Sequence, residues 1–141
     1  MQAQAGVEAL VEAALAGDVD EINSLLGQGV DVNCADDEGF TPLFVASQEG
    51  YVEAMQILIK AKAAVNQAMN DGITPVSVAS QQGHTAAVRL LLESGADGNK
   101  GDNEGYAPMN VAAQEGHTNV LTLLIENGGN VNQAMNDGAT P

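Results

Sequence analysis

The sequence contains few aromatic residues, few basic residues and one cysteine. Aromatic side chains make up 3% of the 141 residues and tryptophan is absent. Because aromatic residues are typical of strands, an aliphatic core of this kind favours closely packed helices over a β-sandwich. The single cysteine, Cys34, excludes an internal disulfide framework and suits a reducing compartment.

The chain is also strongly acidic. Its 19 acidic and four basic residues give a formal net charge of −15. Such a surface repels nucleic acids and anionic membranes, so we expect neither as a partner. The N-terminal segment lacks the basic start of a signal peptide, and Glu8 and Glu12 interrupt its apolar run. We therefore expect a cytoplasmic protein.

One stretch of the sequence occurs in two copies that differ at a single position: VNQAMNDGITP at 65–75 and VNQAMNDGATP at 131–141. The whole chain repeats with a period of 33 residues. Four series of residues keep that step: Gly39, Gly72, Gly105 and Gly138; Gly17, Gly50, Gly83 and Gly116; Asn33, Asn66, Asn99 and Asn132; Pro42, Pro75, Pro108 and Pro141. A period of this length indicates a repeat protein in which each unit packs on its neighbours.

Each unit predicts a turn followed by two helices. The turn glycine supplies a positive φ, and a Thr-Pro pair such as Thr41-Pro42 can cap and begin a first helix. Gly50 then ends that helix. The second helix carries a helically spaced apolar stripe, which we assign to Ala54, Ile57, Leu58 and Ala61 in the second unit, to Ala87, Leu90 and Leu91 in the third, and to Val120, Leu123 and Leu124 in the fourth.

These motifs resemble the ankyrin-repeat family, whose 33-residue unit carries a TPLHxA-like signature. The matching segments are TPLFVAS at 41–47, TPVSVAS at 74–80 and APMNVAA at 107–113, with Gly-His pairs at 83–84 and 116–117. The resemblance implies an all-α repeat solenoid of stacked helix-turn-helix ankyrin repeats with β-hairpin-like turns. We predict an N-terminal capping repeat at 1–35, repeats at 36–68, 69–101 and 102–134, and the start of a truncated repeat at 135–141.

Several positions depart from the family pattern. Phe44, Ser77 and Asn110 stand where the signature has histidine, so the usual Thr–His hydrogen bond should be missing. Ala107 lacks a capping hydroxyl, and Lys62 stands where other units have glycine. We therefore expect a stable fold with a weaker third junction, because a lost cap costs about 1 kcal/mol. The turns alternate, since CADDEGF at 34–40 matches KGDNEGY at 100–106 better than QAMNDGI at 67–73.

Little in the sequence indicates catalysis. His84 and His117 occupy one repeated position and are interpreted as structural, and Cys34 as a small turn residue. The Asp-rich loop 97–104 lacks the glycine and glutamate that an EF-hand requires, and no phosphate-binding, dinucleotide or zinc motif is present. We predict no enzyme, no metal site and no cofactor.

A protein-binding face is the better candidate, because equivalent positions of a solenoid align in rows. By resemblance to the family, the turns and first helices form the concave surface that binds partners. The predicted partner-binding residues are Asp36, Asp37, Glu38, Phe40, Gln48, Glu49, Met69, Asp71, Ile73, Gln81, Gln82, Asp102, Glu104, Tyr106, Gln114 and Glu115. The basic residues (Lys60, Lys62, Arg89 and Lys100) lie on the second helices or just after them.

The leading hypothesis is a non-catalytic module that binds a basic protein segment with apolar anchors. One alternative is that the acids only solvate the surface while Phe40, Ile73 and Tyr106 pack on neighbouring turns. Another is that the chain is a structural segment of a longer array with no partner of its own, for which we expect self-association through an uncapped C-terminal repeat. A third hypothesis makes the array a substrate of asparagine hydroxylases, with Asn33 as the modified residue.

Overall fold

The computed structural model describes residues 2–128, and these residues form eight α-helices and no strands. Their bounds are α1 Gln2–Ala16, α2 Val19–Gly27, α3 Pro42–Glu49, α4 Val52–Lys60, α5 Pro75–Gln82, α6 Thr85–Glu93, α7 Pro108–Gln114 and α8 Thr118–Glu126. The first helices pack in the order α1, α3, α5, α7, and the second helices in the order α2, α4, α6, α8. The predicted all-α repeat solenoid is confirmed. The predicted truncated repeat at 135–141 lies outside the described residues.

The first helices begin and end as the Thr-Pro and Gly signals predict. The backbone N–H of Phe44 donates to Thr41 Oγ1 at 3.1 Å, and that of Ser77 donates to Thr74 Oγ1 at 3.3 Å. Gly50 ends α3 in the left-handed conformation with φ 75°. Helix α1 is longer, with 15 residues against eight in α3, because the segment 3–8 is helical where later repeats have a turn.

The middle repeats bury almost the whole of their first helices. Residues 41–47 and 74–80 are buried without a break, and Ser47 and Ser80 sit at 0% exposure. Each of these serine hydroxyls donates to the carbonyl four residues earlier, on Leu43 and Val76, at 2.7 Å. A helix that is apolar on every side needs cover on every side, so the neighbouring repeats must supply it.

The second helices are amphipathic, but the buried stripe differs from the predicted one. In α4 the buried residues are Ala54, Met55 and Leu58, and Ile57 is only partly buried. In α6 they are Ala87, Val88 and Leu91, with Leu90 partly buried. The prediction of Val120, Leu123 and Leu124 in α8 is correct. The core-facing stripe of α4 and α6 therefore includes the residue after the buried alanine, at i, i+1 and i+4.

The alternation of turn types has a structural cause. Asp36 Oδ1 accepts from the backbone N–H groups of Glu38 and Phe40, both at 3.0 Å, and Asp102 Oδ1 accepts in the same way from Glu104 and Tyr106. In the intervening repeat Met69 holds the equivalent position and has no acceptor oxygen in its side chain. There Asp71 Oδ1 accepts from Ile73 N instead, at 3.1 Å.

The repeated asparagines join neighbouring repeats. Asn33 Nδ2 donates to the carbonyl of Lys62 at 3.2 Å, and Asn33 Oδ1 accepts from Ala64 N at 2.7 Å. Asn66 makes the equivalent bonds to Gly95 O and Asp97 N. Asn99 Nδ2 reaches Gly128 O at 3.4 Å. Each of these amides holds the loop that follows the second helix of the next repeat.

A missing cap in the fourth repeat is partly compensated. Ala107 has no hydroxyl, but its own backbone N–H donates to Asn110 Oδ1 at 2.9 Å. Asn110 stands where the family signature has histidine and is 4% exposed. The buried N–H of the capping residue is thus paired, although the N3 backbone N–H does not gain the acceptor that Thr41 and Thr74 provide in the earlier repeats.

Replacing Asn33 with alanine removes both of its bonds to the next repeat. We expect the free energy of unfolding to fall by about 1–3 kcal/mol, since each such bond contributes roughly 0.5–1.5 kcal/mol. Urea denaturation followed by circular dichroism measures the change. Asn23, exposed on α2, is the matched control, and Asn23→Ala should change stability by under about 0.5 kcal/mol. Equal losses in the two variants would contradict the role of Asn33.

Lys62 is strained where its counterparts are not. Among the described residues, Lys62 is the non-glycine residue with a positive φ, which is 78°. The residues at the equivalent positions of other repeats are Gly29 and Gly95, with φ of 92° and 96°. Lys62→Gly should raise the free energy of unfolding by about 1 kcal/mol, because the left-handed conformation costs an L-residue roughly 1–2 kcal/mol. Lys62→Ala is the control, since it removes the charge but keeps the Cβ. If alanine stabilises as much as glycine, charge rather than strain is responsible.

Candidate binding surface

The predicted acids of the turn tips are accessible. Asp37, Glu38, Asp71 and Glu104 are exposed. Asp36 and Asp102 are partly buried, because their carboxylates accept the turn's own backbone N–H groups. These two residues therefore shape the turns, and the exposed acids beside them provide the charge that faces solvent.

The predicted apolar stripe is only partly accessible. Phe40, Met69, Ile73 and Tyr106 are each partly buried. Phe40 packs against the buried Phe44, with ring centroids 5.8 Å apart and tilted by 55°. Packing of a turn against the helix that follows it thus accounts for part of this stripe, and its remaining exposed edges lie among the turn acids.

A second row lies where the first helices end. Its members are Gln48, Glu49, Gln81, Gln82, Gln114 and Glu115, and all but the partly buried Gln48 are exposed. The carboxylates of this row belong to the second and fourth repeats, while the third repeat has Gln82 at the equivalent position. The row therefore combines amide donors and acceptors with negative charge.

The structure does not bring the predicted residues into one cluster. The turn residues precede the first helices and the other row follows them. An eight-residue helix such as α3 separates the two rows by about 12 Å, at 1.5 Å per residue. We call them the turn row and the helix-end row. They run side by side across successive repeats.

The histidines hold the helix-end row in place. His84 Nε2 lies 3.0 Å from the carbonyl oxygen of Gln48, and His117 Nε2 lies 2.9 Å from that of Gln81, so each ring N–H donates to the preceding repeat. The ring of His84 also covers Gly50, where an added Cβ would come within 2.8 Å. These contacts agree with the interpretation of both histidines as structural.

The turn row has a similar link that the sequence analysis missed. Asn103 N donates to the carbonyl of Asp71 at 3.0 Å, and Asn103 Nδ2 donates to that of Asn70, also at 3.0 Å. The turn of the fourth repeat is thereby fixed on the turn of the third. A local sequence pattern could not show this bond, because it joins residues a full repeat apart.

Cys34 has the environment of an unreactive thiol. It is 9% exposed, and its burial raises the pKa of the thiol, with the carboxylates of Asp31 and Asp36 raising it further. Little thiolate therefore forms at neutral pH. Among residues 2–128, no group of three or more His, Cys, Asp or Glu side chains is arranged to hold a metal ion.

The arrangement defines a helical repeat protein with extended rows of exposed polar side chains. The family model for ankyrin repeats, in three copies, matches residues 10–102 and 61–135. The chain belongs to the ankyrin-repeat family. Ankyrin repeats are generally protein–protein interaction modules and typically lack enzymatic activity. No curated protein matches the chain. Within the described residues, no helix has the length and apolar character needed to cross a membrane.

The glycines beneath the histidine rings allow a matched test. Gly50 and Gly116 both have φ 75°, but Gly50 lies under His84 while no described atom lies within 4 Å of an added Cβ at Gly116. Both alanine variants place a Cβ on a residue with positive φ, which strains the backbone. In Gly50→Ala the added Cβ must also displace the ring of His84. We expect Gly50→Ala to lose about 1–3 kcal/mol more stability than Gly116→Ala in urea denaturation. Equal losses would show that the ring contact contributes nothing.

Proposed function

We propose that the protein is a non-catalytic module that binds a basic segment of a partner protein along its turn row and helix-end row. The observation that carries the proposal is the placement of exposed carboxylates in both rows, on a fold whose family generally binds proteins. Three of the four basic residues lie on or just after second helices: Lys60 ends α4, Lys62 follows it and Arg89 is within α6. Lys100 begins the turn segment 100–106.

The excess of negative charge supports a basic partner. Glu38, Glu49, Glu104 and Glu115 are exposed in the two rows, and the net charge of −15 gives the whole molecule a negative potential. Complementary charge speeds encounter and selects against acidic partners more than it strengthens the final complex. The exposed glutamines can then bind backbone or amide groups of the partner.

The spacing of the rows supports an extended partner segment or a broad surface. Successive packed helices lie about 8–10 Å apart, so each row of three repeats spans roughly 16–20 Å. Six residues of extended chain cover a similar distance, at about 3.3 Å per residue. The half-exposed edges of Phe40, Ile73 and Tyr106 provide apolar contacts along the turn row.

A random dodecapeptide library displayed on phage tests this function. We expect selection on the immobilised protein to enrich peptides rich in Lys and Arg. The affinity of the most enriched peptide, measured by fluorescence anisotropy, should fall about tenfold between ~50 and ~300 mM salt, because salt screens exposed charges. Glu49→Lys/Glu115→Lys should weaken binding by about tenfold, since each reversal replaces attraction with repulsion.

The control reverses the same number of charges elsewhere. Glu93 and Glu126 are exposed at the ends of second helices α6 and α8. Glu93→Lys/Glu126→Lys should reduce affinity by less than about threefold, the residual effect of net charge. If this variant weakens binding as much as Glu49→Lys/Glu115→Lys, only overall charge matters. If no peptide is enriched, the proposed function is wrong.

A further inference from the structure

The first repeat differs from the others at the helix-end row. Leu15 and Ala16 occupy the positions that Gln48 and Glu49 hold one repeat later. Tyr51 occupies the position that His84 and His117 hold in later repeats. The N-terminal end of the row is therefore apolar where the rest of it is amide or acidic.

Both large side chains are accessible. Leu15 is 47% exposed and Tyr51 is 39% exposed. In the part of the chain that the structure describes, the one other large apolar side chain in the exposed class is Ile125 on α8, at 44%. Single exposed apolar residues are common on proteins, but two at the same junction between repeats suggest a contact site.

Tyr51 is held beside the end of α1. Its ring lies over Gly17, where an added Cβ would come within 3.0 Å of the ring. At the equivalent position His84 reaches the carbonyl of Gln48, which is the counterpart of Leu15. A ring at this position thus lies against the last turn of the preceding first helix, and here that turn carries Leu15.

The rim of this patch is acidic. Asp18 follows Gly17, Glu49 ends α3 and Glu53 is in the first turn of α4, and all three are exposed. The nearest basic residue along α4 is Lys60 at its opposite end, about 10 Å from Glu53 at 1.5 Å per residue. An apolar centre with a charged rim is the usual organisation of a protein-binding site, and aromatic side chains often anchor it.

We propose that Leu15 and Tyr51 form the apolar anchor site of the helix-end row and receive a bulky apolar side chain flanked by Lys or Arg on the partner. This inference rests on the proposed function. It adds that an apolar side chain of the partner fixes the position of the basic segment along the helix-end row. A basic flank fits the carboxylates of Asp18, Glu49 and Glu53. A second copy of this chain fits poorly, because it would bring the same acidic surface and a net charge of −15.

The test uses substitutions that the other repeats already contain. Leu15→Gln/Tyr51→His gives the junction between the first and second repeats the residues found one repeat later at Gln48 and His84. The fold should therefore be retained, and the melting temperature should stay close to that of the unsubstituted protein. The probe is the most enriched basic dodecapeptide from the random library. We expect the double variant to bind it at least tenfold more weakly, and Ile125→Gln to bind it normally.

A second arm identifies the partner's contribution. Replacing the bulky apolar residue of the enriched peptide with alanine should weaken binding to the unsubstituted protein and leave binding to Leu15→Gln/Tyr51→His unchanged. Additive losses from the two changes would overturn the inference, because the two groups would not then meet.

The outcomes separate this inference from the proposed function. Suppose that the peptide binds in a salt-dependent manner and binds Glu49→Lys/Glu115→Lys more weakly, but has the same affinity for Leu15→Gln/Tyr51→His as for the unsubstituted protein. The anchor site is then wrong and the proposed function stands. If no basic peptide binds the unsubstituted protein, the proposed function fails first. Concentration-dependent dimers in light scattering that vanish in Leu15→Gln/Tyr51→His would assign the patch to a second copy and overturn the partner described here.

Discussion

The burial of the first helices α3 and α5 between their neighbours is the constraint on which the rest of the structure depends. Residues 41–47 and 74–80 have no exposed side chain, so these helices present polar side chains to solvent only at their C-terminal ends. Each is stable only when the preceding and following repeats cover it, as in other repeat proteins. The second helices, the turns and the asparagine links all serve to hold the repeats in the register that provides this cover.

Polar side chains divide into two groups as a consequence. Asn33, Asn66 and Asp36 bond backbone groups within or between repeats, and the histidines bond carbonyls of the preceding repeat. Those side chains maintain the stack. The exposed glutamates and glutamines at the turn tips and helix ends face solvent, and the rows they form are the surface that we propose for a partner.

The resemblance of the 33-residue unit and its TPLHxA-like signature to ankyrin repeats implied the family and the helix order, and the Thr-Pro pairs predicted the caps at Thr41 and Thr74. Prediction failed where the outcome depends on contacts with other elements. The buried faces of α4 and α6 were misassigned, since Met55 and Val88 are buried while Ile57 and Leu90 are only partly buried. The bonds of Asn103 to the carbonyls of Asn70 and Asp71 were missed because they join neighbouring repeats.

The rows of the candidate surface were predictable, but the exposure of each side chain was not. Equivalent positions of the repeats define both rows, and the helix predicted between Thr41 and Gly50 separates them. Exposure depends on packing contacts, which leave Phe40 and Tyr106 partly buried. Leu15 and Tyr51 were not predicted, because they differ from the residues at the equivalent positions of later repeats.

Amide hydrogen exchange with and without a bound basic peptide tests the central claim most directly, because it maps the contact surface without any substitution. The account predicts slowed exchange in the turns around Glu38, Asp71 and Glu104 and at the C-terminal ends of α1, α3, α5 and α7, with no local change in the outward residues of α4, α6 and α8. Protection concentrated on those second helices would contradict it and place the binding surface on the opposite side of the repeats.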